Sequence, residues 1–144
     1  MIDTSRYFLD INTIKKIIDG MLYMKLNVLH WHIVDEDSFP MHVPSAPELS
    51  ENGSIGGVYS QNDLKSIISY GKTRGVRVVP EIDTPGHTLS WGRSSKYGSI
   101  ALNCNGKYAG QFDPTLDLTW DVVSKVMNYV NSTFDDTYIH FGGD

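Results

Sequence analysis

Four places in the sequence combine residue types that could do chemistry: Asp3-Thr4-Ser5-Arg6, Asp35-Glu36-Asp37, Glu81-Ile82-Asp83 with Thr84-Pro85-Gly86-His87, and Gly142-Gly143-Asp144. A carboxylate can move a proton or stabilise positive charge as it develops, an imidazole can tune that carboxylate, and an arginine can hold oxygen-rich ligands. Each group also has a plainer explanation. Glu36 and Asp37 suit a solvated turn better than a role, Asp83 before Thr-Pro-Gly suits a turn-former, and Arg6 alone would be a surface charge. Gly142 and Gly143 permit a turn with positive φ, which is compatible with aiming Asp144 into a site. Taken together the four groups are a stronger signal than any one of them, and Arg6 rises with them, because each group follows directly on a stretch that reads as a strand.

Residues 27–34 (NVLHWHIV), 76–82 (VRVVPEI) and 137–141 (TYIHF) are short and rich in β-branched and aromatic side chains, and Met1-Ile2-Asp3 reads as the tail of one more strand. Between them lie helical patterns. Ile14, Ile17, Ile18, Met21 and Leu22 form one apolar stripe over about 11–24, and Val122, Val123, Val126, Met127 and Val130 form another over about 118–134. Ser60 and Asp63 have capping-box spacing for a helix over 61–74 that stops at Gly75. Strands alternating with helices predict an α/β fold with a parallel sheet, whose strand carboxyl ends share one face. The four groups therefore converge. Periodicity fits both the first half of a (β/α)8 barrel and a small doubly wound sheet. The loops 36–59 and 84–114 are long enough to hold a ligand.

His30 and His32 are spaced to point to one face of a strand. With His87, His140 and Asp144 they could form a metal site for a hydrolase, but two hydrogen-bonded interior imidazoles are the preferred reading, with no metal. Tyr7, Trp31, Tyr59, Trp91 and Tyr108 lie in or near the strand-end loops. Such rings stack on the apolar faces of sugars, and Trp91 is the one selected as a binding residue, although most of these side chains would serve equally as core.

The totals narrow the function further. The 144 residues suffice for one domain, and 12 basic residues scattered against 17 acidic ones give a net charge of -5, which argues against a nucleic-acid partner. No apolar run is long enough to span a membrane, and the opening MIDTSRYFLD does not read as a signal peptide. Cys104 is the single cysteine, either a half-buried thiol or half of a disulfide whose partner lies outside the chain. The triplets Asn52-Gly53-Ser54 and Asn131-Ser132-Thr133 would suit a secreted protein.

Taken together, MIDTSRYFLD, KLNVLHWHIVDEDSFP, YSQNDLKSIISYGKTRGVRVVPEIDTPGHTLSWG and YIHFGGD resemble the β-N-acetylhexosaminidases of glycoside hydrolase family 20, especially lysosomal and secreted eukaryotic members. The resemblance runs in order over essentially the whole chain. It implies a (β/α)8 barrel of which residues 1–144 would be about strands 1 to 4. It also implies release of terminal non-reducing β-linked N-acetylglucosamine or N-acetylgalactosamine, with retention. The nucleophile there is the substrate's own acetamido oxygen.

On this resemblance Asp144 orients and stabilises the acetamido group, Arg6 binds sugar hydroxyls, and Asp35 and His87 are the pair that supports the acid. Asp83 helps frame the pocket. The implied partner is a glycan ending in N-acetylhexosamine, no cofactor is implied, the setting is lysosomal or extracellular, and there is room for a dimeric parent protein. In the family the aspartate of GGD is followed by the glutamate that acts as general acid, whereas Asp144 is the last residue here. The expectation is a fragment, inactive by itself, in which Cys104 has lost the partner that the resembling enzymes place shortly after that acid. Two rivals stay open: a short carbohydrate-binding protein using Arg6, Asp35, Asp83 and Asp144, and a metal-dependent hydrolase built on His30 and His32.

Overall fold

The structure, a computed structural model, describes residues 1–104 and 107–144. The Cys104 thiol and the Tyr108 ring, with the readings attached to them, lie outside what is described. In chain order the elements are β1 (Ile2–Asp3), α1 (Ile11–Tyr23), β2 (Val28–Val34), α2 (Glu48–Gly53), α3 (Gln61–Lys72), β3 (Arg77–Ile82), β4 (Ala101–Cys104), β5 (Lys107–Phe112) and α4 (Asp117–Thr133). Short 3-10 turns at Trp91–Arg93 and Gly98–Ile100 precede β4.

β1, β2 and β3 form a parallel sheet in that order, so each helical crossover delivers the chain to the next position without reversal. The predicted fourth strand, residues 137–141, joins β3 by a single parallel bridge, Glu81 to His140. His140 N donates to Pro80 O (2.9 Å), Ile82 N to His140 O (3.1 Å) and Thr84 N to Phe141 O (2.8 Å). The pairing stops where the glycines begin. The sequence reading missed the antiparallel hairpin β4–β5 and the short α2, both inserted within the long loops.

Alternation decides which side of the sheet is core. Leu29, Trp31 and Ile33 of β2 are fully or almost fully buried. They share a hydrophobic core with Ile14 and Ile18 of α1, Leu64 and Ile67 of α3, and Val122, Val126 and Val130 of α4. His30 and His32 occupy the other face of β2, as period two requires. The helix ends follow local chemistry. Asp10 caps α1 by accepting from Asn12 N and Thr13 N. Ser60 and Asp63 form the expected capping box of α3. Gly75, with φ of 69°, supplies the left-handed residue that lets Val76 N return to Gly71 O before β3.

Candidate active site

Register places one polar row across the sheet: Asp3 pairs with His32, His32 with Glu81, and Glu81 with His140. Parallel neighbours in register share a face, so four successive strands contribute one ionisable side chain each to the side away from the helices. Glu81 and His32 are each about 5% exposed. Buried charges persist when paired, and here they are. His32 Nδ1 lies 3.1 Å from Glu81 Oε1 and its Nε2 2.8 Å from Asp35 Oδ2, while His30 Nε2 contacts Glu81 Oε2.

Burial alone would discharge His32, but hydrogen bonds to Asp35 and Glu81 outweigh it, so its pKa is raised to about 9. Burial likewise works to raise the Asp35 carboxyl, and the His32 hydrogen bond, the Glu36 amide and Arg6 together hold it below its ordinary value. Both imidazoles are hydrogen-bonded, as the preferred reading has it; their partners are carboxylates, and His32 is buried whereas His30 is part-buried. Three sets of side chains nevertheless have ligand atoms within 4.8 Å of one another: His30–Glu81–His140, His32–Glu81–Asp83 and Asp35–Asp83–His87. A His32 ring that keeps both protons has no lone pair to offer a metal.

Toward the carboxyl ends of the strands, Arg6 NH1 meets Asp3 Oδ2 at 2.7 Å and Arg6 NH2 meets Asp35 Oδ2 at 2.9 Å. Asp3 also accepts from the Ser5 and Arg6 amides, which folds the chain after β1 so that the guanidinium returns over the sheet. Asp35 is fully buried, whereas Arg6 is about half exposed, so the arginine is the face that a ligand can reach.

After β3, His87 takes φ of 50°, a strained conformation for a non-glycine residue of the kind that concentrates at functional sites. Its Nδ1 bonds Asp83 Oδ2 at 2.8 Å, with Asp35 Oδ2 at 4.0 Å and Asp144 Oδ1 at 3.8 Å. The Asp83 hydrogen bond is the main reason its pKa is raised. The expected Asp35–His87 pair lies at the limit of ion-pair reach, and Asp35 is one of the charges that raise the His87 pKa. Asp35 makes its shorter contacts to Arg6 and His32, and Asp83, four residues before His87, supplies the direct hydrogen bond to the ring.

The glycine turn aims the last carboxylate. Gly142 and Gly143 have φ of 70° and 98°, and a Cβ on Gly142 would lie 1.7 Å from Asp83 Oδ1. A Cβ on Gly86 would lie 2.4 Å from the Asp144 carbonyl oxygen. The loops after β3 and after residues 137–141 therefore approach as closely as backbone allows, and the Asp144 side chain stands 78% exposed beside His87.

Arg6, Asp35, Asp83, His87 and Asp144 are thus brought together. Trp91 is not. It is 0% exposed, with its ring edge-on to Phe39 and Phe112 at 5.0 Å each, which corrects its selection as a sugar platform. Trp31 and Tyr59 are core as well, whereas Tyr7 is exposed. The sequence places Glu81 among the strand-end groups but names no partner for it. Its only signal was a carboxylate inside an apolar strand opposite two histidines, and register alone makes that meaningful.

Residues 1–144 match, over their whole length, the family described as glycosyl hydrolase family 20, catalytic domain. The chain belongs to this family. It is 44% identical to the protein named beta-hexosaminidase subunit beta of Mus musculus, covering 100% of this chain and 28% of that one. It is 41% identical to beta-hexosaminidase 3 of Arabidopsis thaliana, with 100% and 26% covered. Among solved structures, the Flavobacterium johnsoniae chitobiase superposes with a TM-score of 0.90 at 33% identity, covering 100% of this chain and 23% of that one. The β-N-acetylhexosaminidase of Bacteroides fragilis superposes with a TM-score of 0.87 at 33% identity, with 99% and 30% covered. The chain spans little more than a quarter of the curated relatives it matches.

Proposed function

We propose that residues 1–144 are about the first four βα units of a (β/α)8 catalytic barrel, and that the intact gene product is a β-N-acetylhexosaminidase. The reaction is release of terminal non-reducing β-linked N-acetylglucosamine or N-acetylgalactosamine with retention. The observation that carries this reading is the meeting of Arg6, Asp35, Asp83, His87 and Asp144 at the carboxyl ends of successive parallel strands in a member of family 20. Sequential strand order supports the barrel.

In this proposal Arg6, pinned by Asp3 and Asp35, binds sugar hydroxyls. Asp144 stands where positive charge develops as the acetamido oxygen attacks the anomeric carbon, and a fixed carboxylate there favours the transition state over the ground state. His87, oriented by Asp83, keeps its charge near the site and tunes a neighbouring acid. Protonation of the leaving oxygen is assigned to no residue of this stretch. A lysosomal or secreted setting belongs to the same proposal, and Asn52 and Asn131 of the two N-x-S/T triplets are exposed, as that setting needs.

The test is turnover of a chromogenic N-acetyl-β-glucosaminide by the intact gene product, with Asp144→Asn as its companion. The substitution is expected to lower kcat roughly 10²- to 10³-fold. Failure of the unsubstituted protein to turn over this substrate or the galactosaminide, with saturable binding retained, refutes the hydrolase reading in favour of a carbohydrate-binding protein.

A further inference from the structure

The glycine turn before Asp144 has a side-chain anchor. Gly142 N donates to His140 Nδ1 at 3.0 Å, the two-residue reach by which an asparagine usually closes an Asx turn. Donation from an amide requires a lone pair on Nδ1, so the proton of the neutral ring sits on Nε2. The ring is held in turn. It packs against His30 at 4.8 Å between centroids with 38° between planes; Glu81 Oε1, 3.3 Å from the same Nδ1, is a second acceptor there and makes no bond to the ring in this tautomer. Glu81 contacts His30 and His32, so the carboxylate holds the His30 ring on which His140 packs.

We propose that His140, seated against His30, is a positioning residue for Asp144: its Nδ1 fixes the Gly142 amide and thereby sets where the Asp144 carboxylate points. The consequence for catalysis rests on the hexosaminidase reading above, whereas the consequence for the turn does not. A carboxylate that acts on charge developing in the transition state loses its effect when it is misplaced by about 1 Å, at a cost of about 10²-fold. Substrate affinity, set largely elsewhere, then changes little.

Two substitutions in the intact gene product separate the acceptor from the ring. His140→Phe keeps an aromatic ring against His30 and removes the acceptor; His140→Asn gives up the ring and keeps an acceptor where Nδ1 was. The expected result is a kcat lowered about 10²-fold with KM within about twofold for His140→Phe, and recovery of most of that loss in His140→Asn. Hydrogen exchange of the peptide covering residues 137–144, followed by mass spectrometry, should show the Gly142 amide exchanging roughly tenfold faster in the Phe variant alone.

Equal kcat in wild type and the Phe variant, or equal losses in both variants, overturns the positioning role. Unchanged exchange in the Phe variant overturns the hydrogen bond itself. If the unsubstituted protein does not turn over hexosaminides, the catalytic half of the inference falls with the functional reading, and the exchange result still decides the turn.

Discussion

Raising the pH from 6.5 to 9 should weaken the fold through one side chain. The His32 ring titrates near 6.5 in an unfolded chain and near 9 where Asp35 and Glu81 hold it. Below 6.5 both states carry the proton and the stabilisation is fully present. Between the two values the unfolded chain has released its proton and the folded chain has not, so each pH unit removes about 1.4 kcal/mol, or about 3 kcal/mol across the window. Asp35 works with the opposite sign: its depressed pKa contributes above the ordinary carboxylate range and is lost as pH falls through it. A plateau between roughly pH 4 and 6.5 follows.

Urea unfolding of the intact gene product at several pH values, beside His32→Gln, measures this. With a denaturant slope of about 1–3 kcal/mol per molar, the wild-type midpoint should fall by about 1–3 M across the window. His87, whose pKa is also raised, adds a decline common to both proteins. The variant should start less stable and lose most of the slope. Equal slopes refute the assignment. Should the variant not fold, NMR titration of the wild-type His32 ring decides instead: a midpoint near 6.5 means that the two carboxylates do not hold the proton as described.

Three further outcomes follow from the same geometry. Gly142→Ala drives a methyl into Asp83 and imposes a strained φ, so it should cost about 1–3 kcal/mol of stability or more and depress kcat. Gly143→Ala, with no atom within 4 Å of the added methyl, should bear only the backbone strain, and melting curves and kinetics of the pair should separate them. Trp91→Ala should destabilise the protein by about 3–5 kcal/mol, as a buried aromatic does, and Trp91→Phe should leave KM within about twofold; a large rise in KM without loss of stability would restore the sugar-platform reading. Ser60→Ala, which removes the hydroxyl of the α3 capping box, should lower stability by about 0.5–2 kcal/mol in thermal melts with no effect on kcat.

Some of this was legible along the chain because it depends on local chemistry. The stripe of Ile14, Ile18 and Met21, the Ser60–Asp63 cap and the terminator Gly75 act within one or two turns of backbone, and the helices fall within two residues of the expected bounds. The strand-end position of Arg6, Asp35, Asp83, His87 and Asp144 was legible for a similar reason, since parallel strands must deliver their carboxyl ends to one face. The hairpin β4–β5 was not, because a two-stranded insertion in a loop depends on packing that no period in the sequence records.

Residue types and their order thus determined which groups could gather, down to the glycines that let Asp144 turn inward. Tertiary structure decided who holds whom. Asp83 rather than Asp35 bonds His87 because Asp35 is drawn to Arg6 and His32. Trp91 enters the core because Phe39 and Phe112, each more than twenty residues from it or brought by the hairpin, close around its ring. Glu81 acquires three histidines only through strand register, a quantity set by pairing between distant segments, where a slip of one residue would turn every one of these side chains to the other face.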